Sequence, residues 1–164
     1  MGLFYKSINE LEKAKNYLEL ASSYGFQNLT TEMYLISSQV ELIYTHLHLG
    51  NIDSAKEVLN HIDITNPHLL KKFAFIRDKY GKAELVLSKS REMKGVIISI
   101  DDNMTKAVIV DPFQRKHTYV AKSRNFIELI TINESLINRQ VKFITSDEKL
   151  LDTSYHMVKA VRFV

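Results

Sequence analysis

Hydrophobic residues in the first half of the chain recur every three or four positions, which is the period of an amphipathic helix. The segment 8–24 shows this period at Ile8, Leu11, Ala14, Leu18 and Ala21. The segment 30–49 repeats it at Met33, Ile36, Val40, Ile43 and Leu47. The pattern therefore predicts two helices before residue 50.

Polar residues and glycines mark the expected ends of these helices. Ser7 and Glu10 have the spacing of a capping box, and Thr30 is placed to cap the second helix. Gly25 and Gly50 suit the left-handed residue that often follows a helix. We therefore expect short turns at both glycines.

Two further helices follow. One is expected over 53–62, and Asn66-Pro67 has the residues that cap and begin another. The last helical region is expected to reach about Met93, with a break near Gly81. The sequence thus predicts four or five antiparallel helices that form a domain over residues 1–93.

From Lys94 onward the apolar period changes to two, which is typical of strands. Five short runs rich in β-branched and aromatic residues lie at 94–100, 106–111, 117–123, 139–145 and 157–164. They predict a C-terminal domain over 94–164, a five-stranded antiparallel β-barrel of the oligonucleotide-binding type, with an SH3-like barrel as the alternative. The predicted fold class is therefore α+β with two domains.

An internal similarity runs through the helical region. SINELEKAKNYLELA at 7–21 aligns with GNIDSAKEVLNHID at 50–63 when Ala14 is placed on Ala55, and Pro67 follows. This resembles the tetratricopeptide repeat, in which a small residue lets two helices pack closely and a Pro begins the next unit. The offset of 41 exceeds the usual ~34 residues, as in many bacterial regulatory repeats. The resemblance implies an α-solenoid that binds a protein partner; a plain helical bundle is the alternative.

The chain holds about two such repeats, whereas solenoids usually need three or more. Residues 1–6 also resemble the tail of a helix. We expect a piece of a longer repeat protein. One alternative is that a preceding effector domain carries an activity that these parts regulate. Another alternative is that the C-terminal domain itself caps the repeats.

The C-terminal region resembles the cold-shock domain. Gly95 matches the glycine of its first strand, 138–143 (Asn-Arg-Gln-Val-Lys-Phe) resembles its Gly-Gln-x-Val-x-Phe strand, and 159–162 resembles its closing Ala-x-x-Val. The segments 105–110 and 118–122 stand where that family carries its two aromatic-rich strands. The resemblance implies binding of single-stranded RNA or DNA by base stacking.

Most of the stacking aromatics of that family are replaced here. Lys106 and Val108 stand for two Phe, Tyr119 is kept, and Ala121 and Lys122 replace the His and Phe that follow. The resemblance implies that Tyr119 stacks on a base while cations contact phosphates. The expected interface comprises Lys106, Tyr119, Lys122, Arg124, Arg115, Lys116 and His117. The alternative is that these lysines only solvate the outside of a barrel.

The charge distribution agrees with a polyanionic partner of the second domain. The net charge is +3, residues 1–93 are neutral, and the whole excess lies in residues 94–164. The tyrosines Tyr17, Tyr34 and Tyr44 suggest a peptide groove on the helices, although packing between helices is the alternative.

Composition and motifs argue against catalysis. The chain has no Cys, which excludes disulfides, thiolate chemistry and Cys-based zinc sites. His46 and His48 are two residues apart on a predicted helix and point in different directions, so they do not share a metal. No nucleophile elbow or Gly-rich phosphate loop is present. We expect no enzymatic activity, no cofactor and no metal.

No apolar run approaches the ~20 residues of a transmembrane helix, and no secretory signal is visible. The expected protein is therefore a cytoplasmic, non-enzymatic adaptor without a membrane partner. Its helices would bind an unknown protein, and its barrel would bind single-stranded nucleic acid weakly, through the backbone. The alternative is a structural module whose barrel binds no nucleic acid.

Overall fold

A computed structural model describes residues 1–8, 10–25, 27–103, 106–120, 133–148 and 155–164. Residue contacts divide the chain into two compact units, Met1–Ser88 and Lys89–Val164. The first is helical and the second is built of strands, so the fold class is α+β. The predicted division at 93/94 lies five residues further along the chain.

The described part of the helical unit contains six helices. They are α1 (Gly2–Ser7), α2 (Leu11–Ser23), α3 (Leu29–His48), α4 (Ile52–Asn60), α5 (Pro67–Lys72) and α6 (Phe75–Lys89), the last ending one residue into the next unit. The predicted break near Gly81 is wrong, because Gly81 lies inside α6. The chain instead leaves the helical conformation at Phe73, where φ is −128° and ψ is 61°.

The helix ends show which of the predicted caps form. The Asn66 side chain accepts hydrogen bonds from the backbone of His68 and Leu69, so the predicted cap of α5 is confirmed. Gly50 has a φ of 80° and ends α3 as expected. The predicted stop at Gly25 is wrong, because α2 ends at Ser23 and Gly25 does not have a positive φ.

Two predicted N-terminal caps are also wrong. Ser7 belongs to α1, and its hydroxyl donates to the carbonyl of Phe4 rather than capping α2. The capping box of the described helices stands at α3 instead, where the Asn28 side chain accepts from the backbone of Thr31 and the Thr31 hydroxyl accepts from the backbone of Asn28. Asn28 therefore replaces Thr30 as the cap.

The helical core is centred on α3. Ile36, Val40, Ile43 and Leu47 are buried along one face of this helix, as their spacing predicts. Helix α2 packs against α3, and α3 packs against α4. Two alanines, Ala14 and Ala55, are fully buried at the positions that the sequence alignment equates.

The described part of the second unit contains five strands, as predicted. They are β1 (Ser90–Ile100), β2 (Lys106–Val110), β3 (Lys116–Val120), β4 (Gln140–Glu148) and β5 (Tyr155–Phe163). Strand β1 begins four residues before its predicted start, directly after α6. A short 3₁₀ turn, Glu134–Leu136, precedes β4.

The strand order is β1-β2-β3-β5-β4, and β1 pairs with both β2 and β4. Strands β2 and β3 form a ladder, as do β4 and β5, and all these pairs are antiparallel. Among the described residues, β3 meets β5 through one parallel pair, Thr118 with Met157. The predicted antiparallel sheet of five strands is therefore present, while its closure into a barrel rests on that one pair and stays a prediction.

The core of this unit lies on the inward face of the strands. Ile97, Ala107, Ile109, Val141 and Phe143 are essentially inaccessible to solvent. There is no room for a side chain at Gly95 of β1, since a Cβ built on it would be 2.6 Å from Ile109 Cγ2 and 2.7 Å from the Val110 oxygen. The position thus requires glycine for steric reasons.

Candidate nucleic-acid interface

The register of the β2–β3 hairpin separates the two residues at the centre of the predicted interface. Lys106 is opposite Val120, and Tyr119 is opposite the buried Ala107. Residues directly opposite each other share a face of the sheet, and successive residues alternate between faces. The two positions therefore fall on opposite pleats of the backbone ladder, and the joint role of Lys106 and Tyr119 stays a prediction. Lys106 itself is exposed.

His117 is also not a surface contact. It is 1% exposed, and its ring packs 4.9 Å from the ring of Phe143, centroid to centroid. It lies directly opposite Ile109, another buried residue of the core. The prediction that His117 contacts nucleic acid is therefore wrong, because the inward pleat of β3 places its ring among apolar side chains.

A buried carboxylate organises the turn between β2 and β3. Asp111 is 2% exposed and accepts hydrogen bonds from the backbone N–H groups of Phe113 and Arg115. Its Oδ2 lies 2.7 Å from Arg115 Nε and 3.1 Å from His117 Nε2. Burial by itself would raise the pKa of Asp111, but these hydrogen bonds together hold the pKa well below its ordinary value.

This turn presents an aromatic residue that the sequence analysis missed. Phe113 is 75% exposed, and the Arg115 guanidinium lies 5.2 Å from its ring centroid. Arg115 is thus both an ion-pair partner of Asp111 and a neighbour of an exposed ring. Lys116, which begins β3, is exposed, as the sequence predicts. Lys122 and Arg124 lie outside the described residues and stay predictions.

The outer face of the sheet carries a row of three cations on three adjacent strands. Lys94 of β1 is directly opposite Lys142 of β4, and Lys142 is directly opposite Arg162 of β5. All three are exposed. We call these three residues the basic row.

The basic row has an electrostatic cost for folding. Residues directly opposite on neighbouring strands have Cβ atoms about 4.5–5.5 Å apart, and like charges at that separation are destabilising. Glu92 offsets part of this repulsion, with its Oε1 4.0 Å from Lys142 Nζ. Such a concentration of charge is typical of a surface that binds a polyanion.

The sequence contains a signal for this row. Val141-Lys142-Phe143 and Val161-Arg162-Phe163 share one pattern, in which a cation stands between two apolar residues. In both segments the Val is buried and the cation is exposed. The alternation therefore predicts two outward cations, but their alignment with Lys94 depends on the register of three strands.

A second arginine adds to the positive charge near β4 and β5. The Arg139 guanidinium lies 4.8 Å from the ring centroid of Phe163, the residue after Arg162. This is the geometry of a cation–π contact. Within the parts of the chain that the structure describes, no group of three or more His, Asp or Glu residues is arranged to hold a metal ion.

Two of the three tyrosines of the predicted groove line a shared depression. Tyr17 of α2 and Tyr34 of α3 border a cavity of about 320 Å³, together with the more exposed Tyr24. Tyr44 does not line it. That ring is half-buried and lies under the ammonium of Lys6, at 5.3 Å from its centroid.

The chain matches no protein-family profile, no curated protein and no solved structure. None of the helices in the described ranges is both long enough and apolar enough to cross a membrane.

Proposed function

We propose that this protein is a cytoplasmic, non-enzymatic adaptor whose strand unit binds the phosphate backbone of single-stranded nucleic acid. The basic row of Lys94, Lys142 and Arg162 is the observation that carries the proposal. In this proposal the helical unit binds a protein partner.

The proposal treats the strand unit as a closed barrel of the oligonucleotide-binding type. Its support is the order β1-β2-β3-β5-β4 and the parallel contact between Thr118 and Met157. The steric need for glycine at Gly95 agrees with the resemblance to the cold-shock domain. Such barrels bind oligonucleotides on the face of strands two and three and on adjoining loops. The basic row lies on β1, β4 and β5, so the proposal places backbone contacts on a different part of the barrel.

The proposal likewise treats the helical unit as a pair of tetratricopeptide-like repeats. The complete burial of Ala14 and Ala55 supports it, because small residues at these positions permit close helix contacts. The start of α5 at Pro67 agrees with the expected beginning of a further repeat. Repeats of this kind bind partner segments through exposed inner faces.

The chemistry of the basic row favours the backbone over the bases. Lysine and arginine contact phosphates regardless of sequence, whereas reading a sequence requires contacts with base edges. Exposed aromatic residues would add base stacking, and Phe113 supplies one such ring. We therefore propose weak, salt-sensitive binding without strong sequence preference.

Fluorescence anisotropy with labelled RNA and DNA of about 12 nucleotides tests the proposal. For single strands, the logarithm of the association constant falls with the logarithm of salt concentration with a slope of about −0.7 per phosphate contact. Three contacts from the basic row would give a slope of about −2. Lys94→Glu with Lys142→Glu should weaken binding at least tenfold at low salt.

The matched control is Lys71→Glu with Lys82→Glu, which changes the net charge equally on exposed residues of the helical unit. An equal loss of affinity in both double variants would show that only net charge matters. A second comparison is Tyr119→Ala with Lys106→Glu, which probes the β2–β3 interface that the sequence predicts. If the wild-type protein does not bind at low salt, the proposal of nucleic-acid binding is refuted. The alternative, a purely structural or protein-interaction module, is then favoured.

A further inference from the structure

The turn between β2 and β3 presents an aromatic ring to solvent. Phe113 at this turn is 75% exposed, more than Tyr24 or Tyr34 of the helical unit. A ring that binds a nucleic acid base needs an open face, on which a base of any kind can stack. The exposure of Phe113 meets that requirement.

The backbone that carries this ring is held in place by the turn itself. Pro112 fixes its own φ, and the Phe113 N–H donates to Asp111 Oδ1 at 2.8 Å. The Gln114 N–H donates to the Asp111 carbonyl at 3.0 Å, and the Asp111 N–H donates to the Arg115 carbonyl at 3.1 Å. Because the turn is already ordered, a ligand that contacts the ring loses little entropy in ordering it.

The surface around the ring is positively charged. Asp111 is the only acidic residue in the sequence 106–120, and its carboxylate is buried. Arg115 and Lys116, which follow the ring in the same turn, are both exposed. The turn therefore keeps its negative charge inside and its positive charges outside, which complements a polyanion.

Arg115 connects the ring with the basic row. Its guanidinium carbon lies 5.2 Å from the Phe113 ring centroid, and its Nη2 lies 3.9 Å from Met93 Sδ. Met93 directly precedes Lys94, the member of the basic row on β1. A strand whose phosphates contact the basic row therefore passes close to the exposed ring.

The strand ladder provides a second connection. Lys116 is directly opposite Val110, and Val110 is directly opposite Val96 of β1. Lys94 is two residues before Val96, so these positions share the outward pleat of the sheet. Lys116 thus extends the positive surface of the basic row toward the β2–β3 turn.

The basic row by itself does not explain a preference for single strands. Double-stranded DNA carries one negative charge per about 1.7 Å of its axis, so a surface that contacts only phosphates binds a duplex at least as well. Bases within a duplex are stacked on their neighbours, whereas an unpaired base can stack on an aromatic side chain. An exposed ring beside the phosphate contacts would therefore reverse the preference.

We propose that Phe113 stacks on an unpaired base and thereby makes the strand unit select single-stranded over double-stranded nucleic acid. The resemblance to the cold-shock domain places stacking residues within the second and third strands, so it assigns no role to this turn. The inference rests on the proposed binding of nucleic acid by the strand unit. It concerns the base, whereas the basic row concerns the backbone.

Fluorescence anisotropy with the full chain and three labelled DNA probes of about 12 nucleotides tests the proposal. The probes are oligothymidine, an oligomer of the same length with an abasic tetrahydrofuran at every position, and a duplex. The first two carry the same phosphates and differ only in their bases. We expect oligothymidine to bind at least fivefold more tightly than the abasic oligomer, and more tightly than the duplex.

Phe113→Ala should abolish this fivefold difference and leave the affinity for the abasic oligomer unchanged. Phe113→Trp keeps an aromatic ring and should preserve the difference. The matched control is Phe75→Ala, which removes a half-exposed ring from the helical unit, where Lys79 Nζ lies 5.9 Å from its centroid. This control should leave all three affinities unchanged.

The possible failures are distinguishable. Equal binding of oligothymidine and the abasic oligomer by the wild-type protein overturns the stacking role and leaves the proposed backbone contacts intact. A difference that persists in Phe113→Ala overturns the assignment to Phe113. If none of the three probes binds at low salt, the proposed function is refuted, and this inference falls with it.

Discussion

His117 Nε2 lies 3.1 Å from Asp111 Oδ2, and both side chains are buried beneath the β2–β3 turn. Four donors converge on this one carboxylate, two from the backbone and two from side chains. Because the contacts are made by residues two to six positions away, they fix the shape of the turn. The hydrogen bond between His117 and Asp111 also explains why a polar residue occupies an inward position of β3.

The first prediction concerns the pH dependence of stability. The lowered pKa of Asp111 means that its contribution is fully present above the ordinary value of 3.8 and is lost as pH falls below it. We expect Asp111→Asn to be less stable than wild type at pH 7, with the difference shrinking below about pH 4. Urea unfolding at pH 7, 5 and 3 measures this.

Asp102→Asn is the control, since Asp102 is exposed in the turn after β1. Its effect should be small at every pH. A constant difference between wild type and Asp111→Asn from pH 7 to pH 3 would show that the charge of Asp111 does not stabilise the turn.

The second prediction concerns Gly95. A Cβ at this position would overlap Ile109 and the Val110 carbonyl, and it would touch Phe143 at 3.0 Å. Overpacking of this kind costs about 1–3 kcal/mol. We therefore expect Gly95→Ala to lower the free energy of unfolding by that amount, measured by chemical denaturation.

Gly81→Ala provides the matched control. Gly81 lies inside α6, and apart from the local helix backbone and its chain neighbours nothing would come within 4 Å of an added Cβ. Alanine at an open helical position should raise stability by up to about 1 kcal/mol. Equal effects of the two substitutions would contradict the close approach at Gly95.

The third prediction concerns the repulsion within the basic row. Lys94 and Lys142 are opposite each other, so Lys94→Gln should raise the free energy of unfolding by a few tenths of a kcal/mol at low salt. The gain should fall in 1 M salt, which screens the repulsion. The same variant should bind RNA more weakly, if the proposed function is correct. Thermal unfolding in two salt concentrations measures the first effect.

Lys106→Gln is the control for this experiment, because Lys106 is opposite Val120 rather than another cation. It should show no salt-dependent gain in stability. A loss of stability in Lys94→Gln at low salt would mean that attraction to Glu92 and its neighbours outweighs the repulsion.

The fourth prediction concerns the cap of α3. The Asn28 side chain accepts from the backbone of Thr30 and Thr31, each at 3.0 Å. Asn28→Ala should therefore cost about 1 kcal/mol in unfolding free energy. Thr30→Ala should be nearly neutral, because Thr30 is exposed in the first turn and its hydroxyl is not the capping group. A larger loss of unfolding free energy in Thr30→Ala than in Asn28→Ala would identify Thr30 as the cap.

Much of the secondary structure was predictable because it depends on neighbours along the chain. The helical period at Ile36, Val40 and Ile43 identifies the buried face of α3, and the structure confirms it. Asn66-Pro67 also predicts its own helix start, since the capping bonds are accepted from residues two and three positions later. The start of α3 was harder to predict, because Asn28 and Thr30 both have side chains that can cap a helix, and the structure uses Asn28.

The site was less predictable because it joins residues that are distant in sequence. The sequence alone determined two units, the helical faces, five strands and a positive second half. Only the tertiary structure decided that Lys94, Lys142 and Arg162 form one row and that Lys106 is paired with Val120. The physical reason is that a shift of one residue in strand register exchanges inward and outward positions, and local propensity does not specify that register.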